Sequence, residues 1–153
     1  MRIEELSRHP GLLDSVAETL HASWGDLPPW AEIGLIRERL AAGSTQATFP
    51  RTLVAVADDG SWAATGSVKL SELTTHPDKT HWIGEIFVLP QHRGQGLGSR
   101  ITEALSAYAF SCGVPRLFLY TPDQQSLYHR LGWVEVAEEV VNAELVSIMQ
   151  LSQ

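Results

Sequence analysis

The chain has 153 residues, 44% of them apolar, and a formal net charge of −7. That length suits one domain over 1–153 with a real core. The acidic balance argues against a nucleic-acid partner, which would want a basic face, and mildly favours a cationic one. No apolar run approaches the ~20 residues of a bilayer span, so no membrane partner is expected. Met1-Arg2-Ile3-Glu4-Glu5 lacks the basic start and apolar middle of a signal peptide. A single cysteine makes no internal disulfide, in keeping with a reducing cytoplasm.

In chain order, Arg2–Leu6 is a short first strand, broken by His9-Pro10-Gly11. Leu12, Leu13, Val16, Ala17 and Leu20 recur at helical spacing, with Asp14 and Glu18 on the outer face. Residues 24–30, with Gly25, Asp26 and the Pro28-Pro29 pair, form a loop. Ile33, Ile36, Arg37 and Leu40 predict a second helix that ends near Gly43. Thr52–Ala57 reads as a strand, Asp58-Asp59-Gly60 as a hairpin turn, and Ser61–Leu70 as the returning strand. Within the latter, Gly66 marks a bulge or a close approach. A polar loop with Pro77 leads to the strand His81–Leu89. His76, Asp78 and His81 are close in sequence, but no second cluster supplies further ligands, so no metal is expected. His9, His21, His92 and His129 read as surface or capping residues.

The most informative stretch is Glu85–Phe110. Its apolar, β-branched start stops at Pro90; its end sets Leu97, Ile101, Ala104, Leu105, Tyr108 and Cys112 at helical spacing before Gly113. That spacing puts Cys112 on the buried stripe, as core and not as a nucleophile. Between strand and helix lie Gly94, Gly96 and Gly98, flanked by Arg93 and Arg100. A glycine turn that opens a helix leaves N–H groups unpaired at the positive end of the helix dipole, which suits a phosphate. The loop lacks the Gly-Lys-Ser/Thr of a P-loop, and its G-x-G-x-G spacing is not the dinucleotide fingerprint. A tight strand–helix turn without a ligand is the plain alternative.

After that helix come the strand Arg116–Tyr120 and a short helix Asp123–Leu131, with Asp123 as N-cap behind Pro122. Two further strands, Trp133–Ala137 and Leu145–Leu151, are joined by a polar turn around Asn142.

Arg93-x-x-Gly96-x-Gly98 after a strand ending in Val-x-Pro resembles the acetyl-CoA signature of the GCN5-related N-acetyltransferases (GNAT). The stretch Leu119–Trp133 is similar to the same family's strand, tyrosine helix and Gly-aromatic step. The resemblance implies an α/β fold, α+β by some schemes, with a mixed seven-stranded sheet splayed between its fourth and fifth strands and about four helices.

It also implies a function. The chain would be an acetyl-CoA-dependent N-acetyltransferase, moving an acetyl group to a primary amine of a small molecule or peptide within a ternary complex. Amides from Arg93 to Ser99, through Gly94, Gln95, Gly96, Leu97 and Gly98, would hold the diphosphate. A backbone N–H at Val88 or Phe87 would hold the oxyanion, and the same edge would pair with the pantetheine arm. Tyr128 matches the tyrosine near the coenzyme sulfur; a phenol of pKa ~10 can protonate a departing thiolate. Merely packing against the cleft wall is its structural alternative. Glu85, an ionisable group in an apolar strand, is the candidate base, with Glu72 as fallback, against a purely hydrogen-bonded or edge carboxylate.

The family's first two helices and their loop cover the acceptor, which makes Trp24, Asp26, Trp30 and Glu32 contact candidates beside a packing or solvated role. Two departures stand out: Thr121-Pro122-Asp123-Gln124 replaces the usual asparagine loop, and Trp133 replaces a phenylalanine. A non-catalytic acyl-CoA-binding module is the competing function. A homodimer is compatible with the resemblance and is not decided by the sequence.

Overall fold

A computed structural model describes residues 1–45 and 48–153. The strands are β1 (Arg2–Glu5), β2 (Arg51–Val56), β3 (Trp62–Lys69), β4 (Trp82–Val88), β5 (Arg116–Thr121), β6 (Val134–Val141) and β7 (Glu144–Ser152). The helices are α1 (Leu13–Trp24), α2 (Ile33–Thr45), α3 (Leu97–Ser111) and α4 (Gln125–Arg130), with 3₁₀ turns at Leu6–Arg8, Pro10–Leu12, Pro28–Trp30 and Pro90–His92. The strands form one sheet in the order β1-β2-β3-β4-β5-β7-β6. All neighbours are antiparallel except β4 and β5, which are parallel and in register only at Trp82 and Phe118. Beyond that pair the two strands diverge, and the sheet opens into a cleft.

Two apolar layers cover the sheet, as alternating side chains require. On one face α3 sets Leu97, Ile101, Leu105 and Ala109 against Ile83, Leu117, Leu119, Trp133 and Met149. On the other face α1 and α2 bury Val16, Leu20, Ile36 and Leu40 against Val54, Val56 and Phe87. Gly113 (φ +87°) closes α3: its N–H donates to Phe110 O and the Val114 N–H to Ala109 O.

A bulge in β4 decides which way the site faces. Ser67 lies opposite Gly84 and Thr65 opposite Phe87, so Gly66 alone faces both Glu85 and Ile86. Glu85 takes the left-handed conformation (φ +55°) that such an insertion needs. One extra residue reverses the alternation. Ile83, Ile86 and Val88 therefore pack under α3, whereas Glu85 and Phe87 point toward α1 and α2. Gly66 is required where it stands: a Cβ there would lie 2.5 Å from Ile86 Cδ1 and 2.6 Å from Ile101 Cγ2.

Four sequence expectations are corrected. Cys112 is exposed, because α3 ends at Ser111 and the chain turns before the helical stripe reaches it. The N-cap of α4 is Gln124, not Asp123; the Thr121 hydroxyl accepts the Gln124 N–H and pulls the start of the helix along. Gly43 does not stop α2 but lies within it, where a Cβ would come 2.8 Å from Thr52 Oγ1. β6 begins at Val134 and runs on to Val141, leaving Trp133 as a buried core residue ahead of it.

Candidate active site

The glycine turn is built as an open cradle. Gly94 and Gly96 both have φ +77°, a region that L side chains avoid, and no atom lies within 4 Å of a Cβ placed on either. Gly96 is the N-cap of α3, so the N–H groups of Leu97, Gly98 and Ser99 belong to the helix's first turn. At Gly98 a Cβ would meet only Val88 and Ile86 side chains at ordinary contact distance. Its absence keeps that stretch of backbone bare. A groove of about 690 Å³ runs from this turn past Ile86, Phe87 and Val88 to Asp123, Gln124 and Leu127. Bare amides at the positive end of a 15-residue helix fit a diphosphate group.

Beside the turn lies the free edge of β4. The Leu89 N–H donates to Ala63 O at 2.8 Å, and Val88 lies opposite Ala64. In an antiparallel ladder the next residue points the other way, so the N–H and C=O of Val88 face the cleft. By the same alternation Phe87 turns its amide toward β3 and offers its ring to Trp24, 5.5 Å away and edge-on.

From there the groove passes into a cavity of about 330 Å³. Trp24, Ile86, Asp123 and Gln124 line both spaces and form the junction. Tyr128 reaches the cavity from α4, its ring edge-on to Trp133 at 6.2 Å. Burial pushes its phenol above the usual tyrosine range, Asp123 adds to the rise, and the Thr102 hydroxyl opposes it.

Glu85 stands in the cavity wall, buried, with its donors gathered on one oxygen. Arg39 Nη2 donates to Oε1 at 2.9 Å, Arg39 Nε at 3.3 Å and Trp30 Nε1 at 3.2 Å. Lys69 Nζ lies 3.9 Å from the same atom and pairs more closely with Glu72. The other oxygen, Oε2, takes no hydrogen bond among the described residues. Glu85 thus fastens α2 and the Pro28–Trp30 turn to the bulge, with one carboxylate oxygen left uncommitted.

Of the acceptor-side candidates, Trp24 and Trp30 line the cavity, their rings 5.0 Å apart and tilted by 55°. Asp26 and Glu32 are exposed and outside its lining. His76, Asp78 and His81 do not converge; among the described residues no group of three metal-ligating side chains forms. His76 instead faces Glu139 at 3.9 Å.

Three residues at the site escaped the sequence reading. Tyr120 lines the cavity, and burial, helped by the charges of Glu72, Glu85 and Glu144, pushes its phenol up to about 12. The β5 alternation that buries Leu117 and Leu119 under α3 was the available signal for it. Arg39 and Lys69 meet Glu85 across 46 and 16 positions of chain, and no local pattern announces such pairs.

Comparison with known proteins places this geometry. A family model described as the acetyltransferase (GNAT) family matches residues 10–133. The fold is similar to that of an aminoglycoside 6′-N-acetyltransferase complexed with coenzyme A, with TM-score 0.77, 16% identity, and 99% of this chain and 97% of that one covered. It is similar to yncA, a putative acetyltransferase from Salmonella typhimurium with its cofactor acetyl-CoA, at TM-score 0.74 and 20% identity, over 99% and 93% of the chains. Mutant forms of the spermidine/spermine N-acetyltransferase SpeG from Vibrio cholerae give TM-score 0.70 and 18% identity, over 99% and 94%. The splayed seam, the glycine turn and the matched span agree: the chain belongs to the acetyltransferase (GNAT) family.

Proposed function

We propose that residues 1–153 form a single N-acetyltransferase domain that transfers an acetyl group from acetyl-CoA to a primary amine by direct attack. The observation that carries this reading is the continuity of two spaces. The groove along the glycine turn opens into the cavity holding Tyr128 and Glu85, through the junction at Trp24, Ile86, Asp123 and Gln124. Acetyl-CoA supplies the activated thioester, and the Gly94–Ser99 amides together with the Val88 edge would hold its length. The Arg93 N–H is donated to Pro90 O at 3.3 Å, which leaves Arg93 its side chain for the ligand.

The reaction needs a neutral amine, a held oxyanion and a protonated leaving thiolate. Glu85 takes a proton from the acceptor's ammonium, directly or through a water, with Glu72 as the second candidate. The freed amine forms the C–N bond. The Val88 N–H, aimed into the cleft, donates to the oxyanion. As the C–S bond breaks, Tyr128 gives its proton to the sulfur. An ordinary phenol already holds its proton at neutral pH, and burial at Tyr128 raises that hold further.

The cavity lining favours a cationic acceptor: Asp123 and Glu144 stand among Trp24, Trp30 and Tyr120, beside Glu72 and Glu85, which Lys69 and Arg39 already pair. The aminoglycoside and spermidine/spermine enzymes of similar fold have acceptors of that character in their names. The test is release of free thiol from acetyl-CoA across a panel of polyamines, aminoglycosides, amino acids and peptides. Thiol release that requires an amine supports a transferase. Coenzyme binding without release for any amine would make the chain a binding module instead.

A further inference from the structure

The carbonyl of Val88 faces the cleft, but it is already occupied. Arg93 Nε donates to it at 3.0 Å, and the guanidinium lies over the Phe87 ring, 5.5 Å from its centre. The side chain that closes the free edge of β4 therefore belongs to the first residue of the anion-binding turn. The neighbouring cation is engaged elsewhere, since Arg100 Nη2 donates to Met1 O at 3.0 Å.

We propose that Arg93 is an interlock, and so a residue that sets donor specificity; this rests on the reading of the turn and edge as a coenzyme A site. In the free protein Arg93 caps the Val88 carbonyl. A ligand with a diphosphate draws the guanidinium toward the turn, where a bidentate, charge-assisted contact replaces the hydrogen bond that is given up. The carbonyl is then released to pair with an amide of the pantetheine arm. A thioester with the same arm but no diphosphate exchanges the Arg93 bond for its own amide's bond to the carbonyl and offers no anion to take up the freed guanidinium. The fold would thus reject bare pantetheine thioesters without any steric filter, through one side chain placed in competition with the ligand.

Arg93 is exposed, so Arg93→Ala leaves the core untouched. Affinities for coenzyme A and for pantetheine, measured by calorimetry and by competition, should move in opposite directions. Coenzyme A should bind about tenfold or more weakly, and pantetheine about three- to tenfold more tightly, the range of one hydrogen bond regained or lost. Pantetheine affinity unchanged or reduced in the variant would overturn the interlock. A parent protein that binds no coenzyme A would instead overturn the site reading beneath it. The two failures are distinct.

Discussion

A phenol carries its proton at neutral pH, and burial at Tyr128 strengthens that hold. Tyr128→Phe keeps the ring and its contact with Trp133. It should lower kcat by about a hundredfold or more while leaving coenzyme A affinity unchanged. Unaltered kcat with a good acceptor would end the acid role. Glu85 has one observed duty, the fastening of Arg39 and Trp30, and one proposed, that of the base, and Glu85→Gln separates them. Loss of the charge opposite Arg39 should cost about 1–3 kcal/mol of stability in chemical denaturation. Loss of a base should in addition reshape the pH–rate profile, confining activity to higher pH where the free amine is present. A uniform drop with an unchanged profile would leave Glu85 as a fastener only. Tyr120 adds a stability signature. Its folded phenol holds its proton up to about 12, above the unfolded value, so the fold loses stability as pH rises through that interval. Tyr120→Phe should flatten that alkaline decline in Tm.

At the scale of elements, the β4 bulge and the turn after it make the site, and both depend on glycines with assigned jobs. Gly66→Ala forces a methyl against the buried side chains of Ile86, Ile101 and Leu105, and should destabilise by about 1–3 kcal/mol in urea melts. Gly113→Ala meets open space and suffers only from its positive φ, so about 1 kcal/mol is expected. A larger loss at Gly113 than at Gly66 would contradict this account of both. The turn was legible because its glycines are spelled out and a left-handed backbone leaves few other residues. The bulge was legible at Gly66 but not across from it: alternation along β4 gives no hint that Glu85 would be the inserted residue and turn toward α2. Local capping was misread for a related reason. The Thr121 hydroxyl accepted the Gln124 amide that a cap at Asp123 would have left inside α4. The stripe through Cys112 followed helical spacing one residue beyond the point where Gly113 had already ended the helix.

At the scale of the molecule, the sequence yielded the succession of strands and helices but not their lateral order. That β7 inserts between β5 and β6 follows from long-range pairing, and the weak seam between β4 and β5 came from family resemblance, not from spacing. The seam has a consequence that can be measured. The half made by β1–β4 carries α1 and α2, the half made by β5–β7 carries α4, and α3 lies across the seam, packed on Leu117, Leu119 and Met149 as well as on Ile83. The two strands share a single register pair, Trp82 with Phe118. A ligand lying on the α3 turn, along the Val88 edge and against Tyr128 of α4 would bridge both halves in the native state alone. Coenzyme A at a hundredfold its Kd should then stabilise the fold by about 2.7 kcal/mol. For a chain of this length that is a rise in Tm of about 5–10 °C. Its distribution is the sharper test: hydrogen-exchange protection should grow at Ile86–Val88 and through α4, and little in β1 and β2. Protection confined to the turn, with the β4 edge and α4 unchanged, would mean that a bound anion does not pull the seam together.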